Sequence, residues 1–258
     1  MNTAYPVSRN PYVRSLARGL SVIRSFTVDS RLQTVSQVAA MTGLDRAGAR
    51  RMLHTLEALG YIRREGPKFH LTPRVLDLAY IYLSTTPFWG IAEPVMEKLV
   101  GMVHESCATS VLDGTEIVYV VKVPAYRIMT INLPIGSRLP AYCTSQGRIL
   151  LAGLPAAELD RVLKESNIKK HTKYTVTSIP ELKRIIRRDH DRGWSLQSQE
   201  LEQGICSISV PIFDRSRRII AAMNVAGSLS RTTPRRMIST ILPRLKRAAQ
   251  DIGSLLTG

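Results

Sequence analysis

The sequence predicts an α+β chain in two parts, on three observations. Residues 35–72 run in the order helix, tight turn, basic helix, hairpin. From residue 87 onward, segments of strand period and helix period are mixed, with an antiparallel hairpin signal at Asp113-Gly114. The 258 residues also exceed the usual size of one compact domain. Helices on both sides of a run of short antiparallel strands make a layered α+β module, so the second part is expected to be built around a central antiparallel sheet.

In the first part, Ser15 to Phe26 carries Leu16, Leu20, Val22, Ile23 and Phe26 at positions compatible with a helix that packs under the next two. Val35, Val38 and Ala39 then form an apolar stripe, and Gly43 can take the left-handed conformation that ends a helix. Asp45 can cap the helix that follows. Along it Ala49, Met52, Leu53, Leu56 and Leu59 fall on one side, while Arg46, Ala47, Arg50 and Arg51 fall on or near the other. Gly60 closes this helix. Tyr61-Ile62-Arg63-Arg64 and Lys68-Phe69-His70-Leu71 then flank Glu65-Gly66-Pro67 as a two-stranded wing.

That order is a winged helix-turn-helix, a device for reading duplex DNA. A lone arginine-rich amphipathic helix is more often only a solvated face, but the ordered succession within about forty residues favours DNA. Arg46, Ala47, Arg50 and Arg51 are expected in the major groove, with Arg63, Arg64 and Lys68 steadying the wing on the backbone or minor groove.

After the wing, Thr72 can cap a helix that opens at Pro73, where a missing amide costs nothing, and Thr85-Thr86-Pro87 ends it. Val75, Leu76, Ala79, Tyr82 and Leu83 are its apolar residues, and it reads as a linker over residues 73–86 between a DNA-binding domain, residues 1–72, and a second domain, residues 87–258. The second domain opens with a helix that buries Ile91, Val95, Met96, Leu99 and Val103. Strands are expected over 108–112, 116–123 and 127–133. A loop with Pro134, Gly136 and Pro140 leads to Thr144 or Ser145 as cap of a helix ending near Ala152, and Pro155 starts another short helix. Ser178 and Glu181 form a capping box ahead of a helix that Gly193 terminates. Strands resume at Trp194, and those at 208–213 and 219–225 flank Asp214 to Arg217. A last helix opens at Thr233-Pro234 with Met237, Ile241, Leu245 and Ile252 inward and a kink at Pro243.

The bulk numbers agree with a polyanionic partner. Lys plus Arg number 36 against 20 Asp plus Glu, a formal net charge of +16 with a pI near 10.3. Residues 1–86 hold 12 basic and 5 acidic side chains, so charge density is higher at the front. Cys107, Cys143 and Cys206 lie far apart with no CxxC, which suggests neither zinc nor disulfides and fits a reducing cytoplasm. No signal peptide, bilayer-spanning run, metal or cofactor is expected. An enzyme is the first rival, but His54, His70, His104, His171 and His190 are scattered, and Asp189, His190 and Asp191 are neighbours on one helix that do not converge. A non-specific architectural DNA protein is the second, and a footprint over a discrete site separates it.

The sequence also resembles the IclR family of bacterial transcriptional regulators over essentially its whole length. The resemblance is carried by Ser15-Leu16-Ala17-Arg18-Gly19-Leu20, Leu56-Glu57-Ala58-Leu59-Gly60-Tyr61 and Phe69-His70-Leu71-Thr72 in front. Behind, it is carried by Leu139 to Arg148 and by Ser207-Ile208-Ser209-Val210-Pro211. Within the family, residues 46–53, Tyr142-Cys143-Thr144-Ser145 and Ala222-Met223-Asn224-Val225 look like the Pca/Pob branch, which controls protocatechuate, 4-hydroxybenzoate and β-ketoadipate catabolism.

The resemblance implies a GAF-like effector domain, a homodimer or homotetramer on a palindromic operator in double-stranded DNA, and control by a small organic acid. A regulator of a different catabolic pathway is the alternative within the same family. It places the effector at the helix start near Thr144, with the amides of Ser145 and Gln146 as donors, which agrees with the anion affinity of any helix amino terminus. Further pocket positions fall on Gln197, Ser207, Asn224 and Ala226, which differ from the acidic residue, cysteine and two serines of relatives that bind glyoxylate or pyruvate. Arg138, six residues before the helix start, is a further candidate for the carboxylate, and Met129, Tyr142 and Met223 are candidates for apolar walls around an aromatic ring.

Overall fold

A computed structural model describes residues 12–84, 88–126 and 133–257. The chain divides into two compact units, Met1–Thr86 and Pro87–Gly258.

The first unit contains α1 (Arg14–Ser25), β1 (Gln33–Thr34), α2 (Val35–Thr42), α3 (Arg46–Ala58), β2 (Ile62–Glu65), β3 (Lys68–Leu71) and α4 (Val75–Ser84). Val22, Val38, Ala49, Leu53, Leu56, Ile62 and Phe69 make its core. The turn between α2 and α3 is set by Gly43, left-handed at φ +70°, and by Asp45, whose Oδ1 accepts from the Gly48 amide at 2.7 Å. Thr34 and Gln37 close a capping box at the start of α2. The wing gains a third strand, because Gln33 and Thr34 pair with Phe69 and Lys68 and give the order β1-β3-β2. Two residues are too few for the period-2 alternation that reveals a strand.

Two front-half expectations change. Leu16 and Leu20 of α1 are 64% and 46% exposed, and Leu59, at the carboxy cap of α3, is 52% exposed, so the apolar stripes are wider than the core they cover. The linker helix starts at Val75, because Thr72 turns its hydroxyl to the Gly60 carbonyl and Pro73-Arg74 stays in a turn. The helix stop at Thr85-Thr86-Pro87 lies outside the described residues.

The second unit contains α5 (Phe88–Val103), β4 (Ser106–Asp113), β5 (Glu116–Val123), β6 (Arg138–Pro140), α6 (Ser145–Ala152), α7 (Ala156–Glu165), α8 (Ile179–Arg192), β7 (Ser195–Ser198), β8 (Ile205–Phe213) and β9 (Ile219–Ser228). It closes with α9 (Pro234–Arg236), a π turn (Met237–Ile241) and α10 (Leu242–Thr257). The six strands run in the order β6-β5-β4-β9-β8-β7, every neighbouring pair antiparallel. One face packs on α5 and α10 through Met96, Leu99, Val210, Met223, Ile241 and Leu245. The other packs on α6, α7 and α8 through Ile117, Tyr142, Ile149, Leu163 and Leu182. Strands covered on both faces lose the apolar and polar alternation, which is why β4 and β9 read as nearly continuous small and apolar runs.

The second half departs from expectation in three places. Ser178 occupies the amino cap of α8 without a side-chain cap bond, because Glu181 is held instead by Arg184 at 2.6 and 2.9 Å. Strands β8 and β9 start or end beyond their apolar cores, at Ile205 and Ser228. The kink expected at Pro243 takes the form of the π turn before it: proline has no amide to donate four residues back, and the chain widens so that Leu242 bonds to Met237. The strand expected over 127–133 lies, apart from Leu133, outside the described residues. Among the described residues no helix is long and apolar enough to cross a membrane.

Candidate functional site

The first unit carries a basic concave face. Arg46, Ala47, Arg50 and Arg51 are all exposed on α3, and Arg63, Arg64 and Lys68 are exposed on the wing. Arg46, Arg50 and His54 stand one turn apart in a single row. Together with Thr34 and Ser36 on one side and Arg64 and Phe69 on the other, that row lines a groove between α3 and the wing. Arg64 is steadied there, its Nε donating to the Gly66 carbonyl at 2.8 Å and its guanidinium lying 5.9 Å over the Phe69 ring. Among the described residues, none of Arg46, Arg50, Arg51, Arg63 and Lys68 is paired with a carboxylate. Their charge is left to solvent and counterions, the condition under which phosphate binding releases ions and gains affinity.

The approach of α3 depends on Gly48. A Cβ at this buried position would run into the Asp45 carboxylate that caps the helix, so the smallest residue keeps the cap and the first turn carries only outward side chains.

The second unit holds a cavity between the start of α6 and the sheet. Thr144 caps α6, its Oγ1 accepting from the Gly147 amide at 3.2 Å. The amides of Ser145 and Gln146 have no backbone acceptor among the described residues, and Gln146 Nε2 is spent on the carbonyls of Ala108 and Ala222 at 3.1 and 3.0 Å. Gln146 therefore fastens α6 to β4 and β9, and its own contribution to a guest is its backbone amide. Ser145 Oγ lies 2.8 Å from Ser207 Oγ, which brings the helix start over β8. Gly147 permits this closeness: a Cβ there would collide with the backbone of Ala141. One turn of two free amides at the positive end of α6 is a ready anion site.

The rest of the wall comes from the sheet and from the segment after β7. Gln197 faces its oxygen toward the amides of Glu200 and, at 3.1 Å, Leu201, and thereby shapes the segment from which Leu201 reaches the cavity. Asn224 is 5% exposed, and its side chain makes no hydrogen bond with any described residue. Tyr119 is likewise buried with its hydroxyl unbonded among the described residues, and burial pushes its pKa up to about 12, so it stays protonated. Lys122 stands on the same wall, and partial burial lowers its pKa from the usual lysine value. The space open to water centres is about 90 Å³, several times the ~10–15 Å³ one water needs.

Of the residues expected at the pocket, Ser145, Gln146, Gln197, Ser207 and Asn224 converge on this cavity, as does Ala226. Arg138 does not: its fork holds Asp113 Oδ2 at 2.7 Å and Glu116 Oε2 at 2.8 Å across the edge of the sheet. Met223 lies between the inward Ala222 and Asn224, so strand alternation turns it to the opposite face, against α5 and α10. Tyr142 is buried, its hydroxyl donating to the Lys169 carbonyl at 2.7 Å and accepting from the Lys169 amide at 2.9 Å. Met129 lies outside the described residues. Thr144 is the cap the sequence offered beside the donors, while sequence reasoning passed over Tyr119 and Lys122. A lysine inside the apolar run Ile117 to Val123 was the signal for the last of these.

Comparison with known proteins supplies independent context. Residues 80–254 match the family described as bacterial transcriptional regulator IclR C-terminal, and residues 15–66 match the IclR helix-turn-helix domain. The chain is 38% identical over 248 residues to the Pca regulon regulatory protein of Pseudomonas putida, covering 96% of this chain and 85% of that one. It is 30% identical over 250 residues to the p-hydroxybenzoate hydroxylase transcriptional activator of Acinetobacter baylyi, covering 95% and 92%. A transcriptional-regulator structure from Rhodococcus sp. RHA1 superposes with a TM-score of 0.84 at 46% identity, covering 95% and 98%.

Proposed function

Because the chain belongs to the IclR family of bacterial transcriptional regulators, in its Pca/Pob branch, we propose that it is a cytoplasmic, sequence-specific operator-binding regulator whose activity is set by a small organic acid of aromatic catabolism, an aromatic acid or a β-ketoadipate-type catabolite. Family and relatives are regulators and not enzymes. In this reading residues 1–72 bind DNA, residues 73–86 link, and the GAF-like domain of residues 87–258 holds the effector.

The observation that carries it is the presence, in one chain, of an unneutralised arginine row beside a wing and of a cavity with two free helix-start amides. Arg46, Arg50 and Arg51, with Ala47 among them, enter the major groove; Arg63, Arg64 and Lys68 hold phosphates. The acid's carboxylate sits on the amides of Ser145 and Gln146, near Gln197, Ser207 and Asn224.

Two copies at least are needed. Leu16 and Leu20 of α1 and Leu76, Tyr80 and Ile81 of α4 are exposed large apolar side chains, and self-association covers them. A homodimer or homotetramer then matches a palindromic operator through its two-fold symmetry. The test is a footprint on the DNA beside the gene, titrated with 4-hydroxybenzoate, protocatechuate and β-ketoadipate. A discrete palindromic footprint altered by one of these acids is expected. A diffuse footprint, or one that no acid alters together with unchanged transcription, overturns the reading.

A further inference from the structure

We propose that the cavity accepts an acid with two anionic groups, a dicarboxylate, and that Lys122 is the residue that selects for the second group. The proposal rests on reading this cavity as the effector site and names the class of acid it takes.

Strand register places the two ends. Lys122 on β5 pairs with Ala108 on β4, which pairs with Asn224 on β9, so all three side chains share one face of the sheet. The start of α6 sits over β8 through the Ser145–Ser207 contact. From β8 to β5 is three strand intervals of about 4.8 Å, on the order of 14 Å, and the long lysine side chain spans part of that distance. The cavity is therefore extended, with free amides toward one end and an ammonium toward the other.

A bulge makes this possible. Thr109 pairs with Val121 but Ser110 pairs with Tyr119, which leaves Val120 as an extra residue. In a regular strand, residues three apart face opposite ways; here Tyr119 and Lys122 both reach the cavity. Between the two ends the wall is apolar, with Leu133, Leu139 and Leu201, which suits a carbon skeleton. Asn224, buried and without a partner among the described residues, offers a donor for an oxygen along that skeleton.

Three carboxylates bear on the ammonium from other sides. Glu202 is on the cavity wall but exposed, and Lys122 also borders an open depression containing Glu93 and Glu97 of α5. All three compete with a bound anion for the lysine, and calorimetry reads the outcome.

Calorimetric titration of the full chain with adipate, with its monomethyl ester and with benzoate tests the proposal. Adipate is expected to bind at least about tenfold tighter than its monoester, the scale of one charge-assisted hydrogen bond. Lys122→Met should remove that preference while leaving monoester affinity within about twofold. Equal affinity for diacid and monoester in the unaltered protein overturns the proposal without recourse to the variant. So does a diacid preference that survives in Lys122→Met, with Lys122→Gln as a second variant should the first not fold. Benzoate or the monoester binding as well as adipate leaves the effector site standing and removes only this inference; no binding by any of the three removes both.

Discussion

Arg148 and Glu200 meet inside the second unit through two parallel hydrogen bonds of 2.7 Å each, with side chains only 2% and 9% exposed. The pair ties α6 to the segment after β7, and the rest of that junction is fully bonded: Arg148 Nε donates to the Tyr142 carbonyl at 3.1 Å, and Glu200 Oε2 accepts from the Val176 amide at 3.2 Å. Taking two charges out of water costs several kcal/mol that this geometry offsets, so the pair is worth more as a positional constraint than as net stability. Arg148→Met or Glu200→Gln alone should lose about 3–5 kcal/mol in chemical denaturation, while the double replacement Arg148→Met with Glu200→Leu should lose less than either. Additive losses would show that the two side chains act separately.

Gly147→Ala is expected to be far more damaging than a helical glycine-to-alanine change, which ordinarily gains about 1 kcal/mol. The new methyl meets the carbonyl oxygen and Cα of Ala141, which are backbone and cannot rotate away. Lower thermal stability of the second unit and loss of acid binding, with DNA affinity kept, is the expected pattern.

On DNA, Arg50→Ala should cost about 1–3 kcal/mol and relax preference at one base position, as a lost bidentate contact to guanine does. Lys68→Ala should weaken all sequences alike and reduce the salt dependence by about one ion. A competition assay against single-base operator variants distinguishes the two. Uniform loss for Arg50→Ala would reassign it to phosphate.

Replacing Leu76 and Tyr80, one turn apart on the exposed face of α4, by glutamate should give a monomer in sedimentation and weaken operator binding. An unchanged oligomer would move the self-association surface elsewhere.

The three cysteines should resist alkylation until the chain unfolds. Burial raises all three thiols, Cys206 to about 11, Cys143 to about 12 and Cys107 further, from a starting value of 9.0. A raised thiol is neutral in the folded state, so this contribution to stability is complete below pH 9. It is lost as the pH climbs past that value, where the unfolded chain ionises first. Reaction at pH 8 in the native state would show that these sites open.

The front unit was readable because its signals are local. Gly43, Asp45 and Gly60 mark their turns by chemistry that acts within four residues, and all three do what their types suggest. What failed there was coverage: a stripe such as Leu16 and Leu20 shows that a face is apolar but not what covers it. In the cavity, the helix start and its donors were legible for the same local reason. Met223, Tyr142 and Arg138 were misplaced because their direction depends on pairing partners far along the chain. Arg138 is claimed by Asp113 and Glu116, more than twenty residues earlier. Lys122 went unseen because nothing in an isolated strand announces a bulge, and without the bulge it would look like a solvated edge residue.

The unmatched Val120 in β5 has a genetic corollary. Loss of that single codon would restore even pairing and leave Tyr119 and Lys122 two residues apart, so both side chains would keep the face they hold now. A descendant could thus shed the bulge by excision with its inducer unchanged, and pedigrees of such regulators should carry gaps at this spot without any change in the charge of the controlling metabolite.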